Sequence, residues 1–390
     1  MDKKISVKNI IHLTATLVAV FTFGFCSHLI YADTDMDTNM DIIRYFSNAT
    51  EDGWKYIKLY DTDKDCELIA ITEHEGEQQD NLVIPGSIDG VDVRVLKGHI
   101  FGYGDDCSSI TVPWEVEEIR GNIFESLNTE EIVFESDSRL KKIDGRFAFG
   151  LTNITRIELP DSVEYIGDEA FSHAFDLREL HIGPNVKEIG DGCFFQTKLS
   201  DVVIDEGNEW YELNDEMLIE KRTNKLLAYS YDKVEKENGK VFIPDYIEEI
   251  DPYALPKNAK CIEVDEKNNY YASYNGCLYS KDGKTLYRVP EKMEPEDFEF
   301  NDKVDVIERY AFKYCMYDEP ITIPETVKDI EMFAFDSQDL CISKSLQFAD
   351  LQTFTGKIHF QGDEKDWEKI NIVNAMPEIT LTYDLIFMEE

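Results

Sequence analysis

The stretch LPDSVEYIGDEAF, Leu159 to Phe171, carries a phrase that returns along the chain. VEEIRGNIF ends at Phe124, VKEIGDGCF at Phe194, VDVIERYAF at Phe312 and VKDIEMFAF at Phe335. The apolar residue five places before that Phe serves as a ruler. It falls at Leu96, Ile119, Ile143, Ile166, Ile189, Ile250, Ile307 and Ile330, at intervals of 23, 24, 23, 23, 61, 57 and 23. Three places before it stands another apolar residue: Val93, Val116, Leu140, Val163, Val186, Ile247, Val304 or Val327. Pro113, Pro160, Pro184, Pro244 and Pro324 precede that pair, after apolar segments such as ITVP, IELP, VFIP and ITIP. At Ile143 the Phe slips one place to Phe149, and at Ile250 Leu255 replaces it. Eight copies on one ruler mark a repeat architecture, not a single active site.

Each unit begins with a short strand whose first and third residues point one way, as do Ile110 and Val112, Ile157 and Leu159, Ile321 and Ile323. Pro ends the strand because it donates nothing to the next ladder position. The V-x-x-I pair turns the chain back across the core. Small Ala then permits a tight helical or 3-10 turn, and Phe fills the interior. One such unit cannot cover its own apolar edge, so units must stack. The expected fold is a β-rich solenoid of α/β type, with a parallel sheet on one side and short helical or 3-10 turns opposite.

The two long intervals contain a second repeat. DEGNEWYELNDEMLIEKRTNKLL (Asp205–Leu227) and DEKNNYYASYNGCLYSKDGKTLY (Asp265–Tyr287) align at a constant offset of 60. Asn208 matches Asn268, Tyr211 matches Tyr271, Leu218 matches Leu278 and Leu226 matches Leu286. RTNK and KDGK read as turns between apolar runs, so each insert is predicted to hold a β-hairpin.

Together these features resemble the BspA-type leucine-rich repeat proteins. The unit IxIPxxVxxIGxxAF, best carried by residues 157–171 and 321–335, is the main likeness. The N-x-x-Y hairpins, the opening DGWKYIKLYDTDKDCELIAIT and the closing KIHFQGDEKDWEKINIVNAMPEITLTYD add to it. The resemblance implies a secreted or surface-displayed bacterial protein with adhesin-like roles and no catalysis. Its implied partners are host or bacterial surface proteins or the extracellular matrix. A structural element of the cell envelope is the rival reading, and an enzyme hidden in the hairpin inserts a third.

Composition bounds the rest. The formal charge of -41 repels nucleic acid phosphates and anionic lipid, and favours cationic partners. Lys3, Lys4 and Lys8, the apolar run from Ile10 to Ile30, and Ala32 before DTDMDTNMD predict a signal peptide over residues 1–32. That run is also nearly long enough for a membrane anchor. Beyond it the expected organisation is a linker over 33–52, an opening hairpin cap over 53–81 and the solenoid over 82–356. Hairpin inserts fall near 202–240 and 261–300, and a C-terminal cap covers 357–390. The expected localisation is secreted or cell-surface. Seven cysteines follow the signal segment without CxxC or zinc spacing, and read mostly as small buried fillers with room for one disulfide.

Motifs of chemistry are sparse. DTDKDCELIAIT (Asp61–Thr72) starts like a calcium loop, but Cys66 and Thr72 stand where Gly and Glu are needed. It reads as a hairpin turn, with calcium left as a weak candidate partner and no cofactor expected. His173 and His181 read as surface residues and not as ligands. The alternate, non-core positions of the strands line one extended surface, as solenoid binding faces do. They are Thr111, Val133, Glu158, His181, Val203, Phe242, Glu263 and Thr322. Val133, Val203 and Phe242 are apolar where solvent is expected, which suits a protein partner.

Overall fold

The computed structural model describes residues 40–41, 48–61, 63–77, 79–102, 105–315, 317–351, 354–373 and 384–388. The predicted signal segment and most of the linker lie outside these residues. The chain winds as a β-rich solenoid of about 13 turns with very little helix. Its first rung is a hairpin: Trp54–Asp61 pairs antiparallel with Cys66–His74. The second strand then runs parallel to Val91–Lys97, with Ile71 opposite Leu96. Leu68, Ile69, Ala70 and Ile71 are fully buried there, so the hairpin covers the apolar edge of the first coil.

Each regular coil contributes two strands. The Pro-terminated strands stack in parallel on one face, with Ile110, Val112, Ile157, Leu159, Ile321 and Ile323 all buried beneath it. The V-x-x-I segment does more than turn the chain, because its second half is itself a strand. Leu96, Ile119, Ile143, Ile166 and Ile189 stand opposite one another in a continuous parallel ladder. The long intervals have the same logic. Leu226 of the first insert pairs with Ile250, and Leu286 of the second pairs with Ile307. Each hairpin thus returns a strand that supplies the rung beside the next ruler residue, while the ladder divides before each hairpin, after Glu188–Ile189 and after Glu249–Ile250.

The recurring Phe residues form a spine. Ring centroids lie 6.2 Å apart from Phe101 to Phe124, 5.3 Å on to Phe149, 4.7 Å to Phe171 and 6.0 Å to Phe194. Phe312 and Phe335 stack at 4.6 Å in the later coils. Phe149 keeps its place despite the slip. The Ala–Phe turns close with i→i+3 bonds, as from Ala170 N to Gly167 O at 3.4 Å. Intervening amides reach the next coil: Phe149 N donates to Ala170 O and Phe171 N to Cys193 O, both at 3.0 Å. Donors shared in this way allow 3-10-type turns but no longer helix. Coils also touch backbone to backbone, where a Cβ on Gly145 would lie 2.1 Å from Gly121 O.

The N-x-x-Y units contain a buried amide lock. Asn208 Nδ2 donates to Gly183 O and Val186 O, while its Oδ1 accepts from Trp210 N and Tyr211 N. Asn268 repeats all four bonds with Pro244 O, Ile247 O, Tyr270 N and Tyr271 N. Both hairpins that follow turn on two left-handed residues, Asp215–Glu216 and Asn275–Gly276. The second pair suits a type I′ turn; the first places a Glu side chain at φ 59°. Glu216→Gly is therefore expected to stabilise by about 0.5–1 kcal/mol, since glycine bears no Cβ penalty there. Urea denaturation checks this, and an unchanged or lower midpoint rejects it.

Buried polar groups fasten the coils on either side of the first insert. Asp251 accepts from Gly192 N at 2.9 Å and from Tyr253 N at 2.8 Å. Arg288 pairs with Glu291 at 3.0 Å, both side chains almost fully buried, and Gln196 donates to Glu291 from 95 residues away. Burial pushes the Asp251 carboxyl up to about 6, and the two amide donors only partly oppose that rise. The folded state therefore holds this proton more tightly than the unfolded chain, and stability falls as pH rises through the interval between 3.8 and about 6. Asn at this position cannot titrate. The stability advantage of wild type over Asp251→Asn should shrink by about 1 kcal/mol between pH 5 and pH 7.5. A pH-independent difference in urea unfolding would exclude the linkage.

Candidate functional site

The strand face holds the eight residues read as its surface, in the register that alternation demands. Thr111 stands opposite Val133, Glu158 opposite His181, His181 opposite Val203, and Phe242 opposite Glu263. Thr322 pairs with Cys341 on a later sheet. Val133 and Val203 are exposed, as are Glu158, Glu263 and Thr322, while Thr111, His181 and Phe242 are half-buried. Val83 extends the first row, opposite Thr111 and 57 % exposed. The sequence reading passed over it because the Asn81–Val83 strand precedes the first full phrase.

These residues do not form one continuous row. The strand face is divided into separate sheets, and one division falls between Glu131–Phe134 and Arg156–Glu158. Its cause is local. Ile132 precedes Leu140 by eight residues, whereas Ile110 precedes Val116, Ile157 precedes Val163 and Leu180 precedes Val186 by six. The extra length, in a unit that lacks Pro, forms a loop held on the neighbouring coil. Arg139 lies over the Trp114 ring at 4.2 Å, and Trp114 N donates to Glu135 Oε2 at 3.1 Å. The Ile ladder and the Phe spine pass this coil unbroken, so the strands part on one face only. A wedge-shaped groove of about 910 Å³ results.

Val133, Glu158 and His181 line this groove together with Glu130, Glu131, Glu135, Asp137, Asp161 and Arg156. A smaller hollow of about 290 Å³ adjoins it, bringing in Val203, Glu179 and Asp201. Arg156 bridges Glu158 at 3.1 Å and Glu179 at 3.8 Å. Both pairs are exposed, so their energetic worth is small. Thr111, Phe242, Glu263 and Thr322 lie outside both hollows.

The turn side carries a second aromatic surface that the sequence reading missed. His173 contacts Phe147 at 5.4 Å, Phe175 at 5.6 Å and Phe195 at 5.4 Å. The row continues through Tyr253 and Tyr310 to Phe333. Phe147, His173, Tyr310, Tyr314 and Phe333 all have left-handed backbones, two residues before or after the position of a spine Phe. His173, expected at the surface, is half-buried, and burial with nearby Lys313 and Lys257 lowers its pKa. Much of this row packs against itself where the first insert joins the coils, which is a structural task.

The remaining motifs are occupied structurally. Asp61 accepts from the amides of Asp63 and Lys64 and pairs with Arg94 at 3.1 Å, closing the hairpin turn. Among the described residues, no three His, Cys, Asp or Glu side chains stand together as a metal site. The seven described cysteines are free thiols, and Cys107, Cys193, Cys277 and Cys315 are buried fillers. Burial pushes the Cys315 thiol up to about 12, which suppresses its reactivity. No helix among the described residues is long and apolar enough to cross a membrane.

The BspA type leucine rich repeat region matches residues 95–218 and 291–380 in six copies. The chain belongs to the BspA-type leucine-rich repeat family. The gap between the matches contains the second hairpin unit and the whole of the first one's return strand, Lys225–Tyr229. Among solved structures, the pneumococcal vaccine antigen PcpA shares 18 % identity at a TM-score of 0.39, covering 88 % of this chain and 99 % of its own. A leucine rich cell surface protein from Faecalibacterium prausnitzii shares 16 % at 0.37, covering 85 % and 99 %. The leucine rich repeat protein of T. pallidum shares 24 % at 0.31, covering 40 % and 71 %. No curated protein matches the sequence. In this BspA-type chain the repeat accounts for the core, and the wedge arises where one unit departs from it.

Proposed function

We propose that this chain is a secreted or cell-surface protein that binds other proteins, adhesin-like and without catalysis, through its strand face. The observation that carries this reading is the groove of about 910 Å³ where the strand face parts. Exposed Val133 lines it and exposed Val203 lines the adjoining hollow, and apolar residues within a polar rim favour protein contact.

The test uses the full chain as bait against host-cell and envelope extracts, beside a Val133→Asp/Val203→Asp variant. Both positions are exposed, so the fold should tolerate the change. A specific partner captured by wild type and reduced at least tenfold by the variant is the expected result. Equal capture by both places binding elsewhere. Absence of any partner, with the chain co-fractionating with cell wall, replaces this reading by a structural role.

A further inference from the structure

We infer that the wedge between Glu131–Phe134 and Arg156–Glu158 seats an extended, lysine- or arginine-rich segment of a protein partner. This rests on the binding function proposed above and specifies the chemistry of the partner.

Shape gives the first argument. The Ile ladder holds Ile119, Ile143 and Ile166 in register across the step, which limits how far the coils can separate. The opening is confined to the strand face, where it runs alongside two strands. Strand edges give the second. Among the described residues, Glu131–Phe134 pairs only with the strand before it and Arg156–Glu158 only with the strand after it. Each is the last strand of its sheet, so each leaves an edge without ladder partners toward the groove. An extended peptide presents the alternating donors and acceptors that such edges accept.

Charge selects the sequence of that peptide. Six carboxylates line the groove, among them Glu131, Asp137, Glu158 and Asp161, against the single guanidinium of Arg156. Arg156 is already engaged by Glu158 and Glu179. An acidic segment would meet like charge on both walls, whereas a basic one compensates them. Exposed Val133 offers its stem an apolar contact.

The experiment measures binding of a fluorescent eight-residue peptide alternating Lys and Thr to the full chain, by anisotropy at low and physiological salt. Its comparators are a Glu–Thr peptide, a Lys–Thr peptide N-methylated at alternate residues, and spermine. The Lys–Thr peptide should bind, the Glu–Thr peptide should not, and N-methylation should weaken binding at least tenfold. Glu131→Gln/Asp137→Asn/Glu158→Gln should also weaken it at least tenfold. The control Glu266→Gln/Asp302→Asn/Glu325→Gln makes the same charge change at exposed sites elsewhere and should act less than twofold. Equal losses in both triple variants, or an N-methylated peptide and spermine that bind as well as the parent, would overturn the inference in favour of general attraction to an acidic protein. Failure of the peptide alone sinks this inference while partner capture by the strand face stands; failure of both sinks both.

Discussion

Asn268→Ala is expected to cost about 3–5 kcal/mol, because one truncation removes four hydrogen bonds to backbone groups at the foot of the insert. Asn268 is fully buried, and its four hydrogen bonds span only 2.8 to 2.9 Å. Two of them hold the carbonyls of Pro244 and Ile247, in the coil beneath. The other two hold the amides of Tyr270 and Tyr271, where the hairpin begins. No other side chain type of this size offers two donors and two acceptor lone pairs in that arrangement. Asn268→Asp keeps the shape but turns two donors into acceptors opposite carbonyl oxygens, and should be no milder. The neighbouring Asn269→Ala, at an exposed position, should stay within about 0.5 kcal/mol. Urea unfolding of the three variants tests this. A loss below about 1 kcal/mol for Asn268→Ala would mean that water replaces the amide, and that the lock is not what fixes the insert.

The sequence shows why much of this molecule was legible and where legibility stopped. A period of 23 could be counted directly, and strand alternation placed Glu158, His181 and Val203 in one register before any coordinates. The constant offset of 60 exposed both inserts and aligned Asn208 with Asn268. It did not show that Leu226 and Leu286 supply rungs, since a ladder partner is a long-range fact. The wedge had a visible signal in the missing Pro and the eight-place offset from Ile132 to Leu140. Its consequence was hidden, because the added length acts on one ladder and leaves the other intact. The aromatic row was harder still. Its members vary between Phe, His and Tyr and fall at differing offsets on either side of a spine Phe, so no single period marks them.

Phe171→Ala is the second large expected effect, at about 3–5 kcal/mol, since deletion of a buried Phe adds a cavity to the lost transfer energy. Phe171 is fully buried and stacks on Phe149 at 4.7 Å with an interplanar angle of 11°. In a solenoid each coil contacts chiefly its neighbours, so the cavity weakens both the coil and its two interfaces. The bond from Phe149 N to Ala170 O holds the neighbouring backbone in place, which limits collapse into the cavity. Coupling should appear in a double-mutant cycle. Phe149→Ala and Phe171→Ala together should cost less than the sum of the two singles, because the first truncation already removes their shared stacking contact. Phe171 and Phe335 belong to different core clusters, so that pair should add within about 0.5 kcal/mol. Additivity for the adjacent pair would show that the rings act as independent fillers. Coupling there, with additivity for the distant pair, would show that the repeated Phe is a spine whose energy passes from one coil to the next.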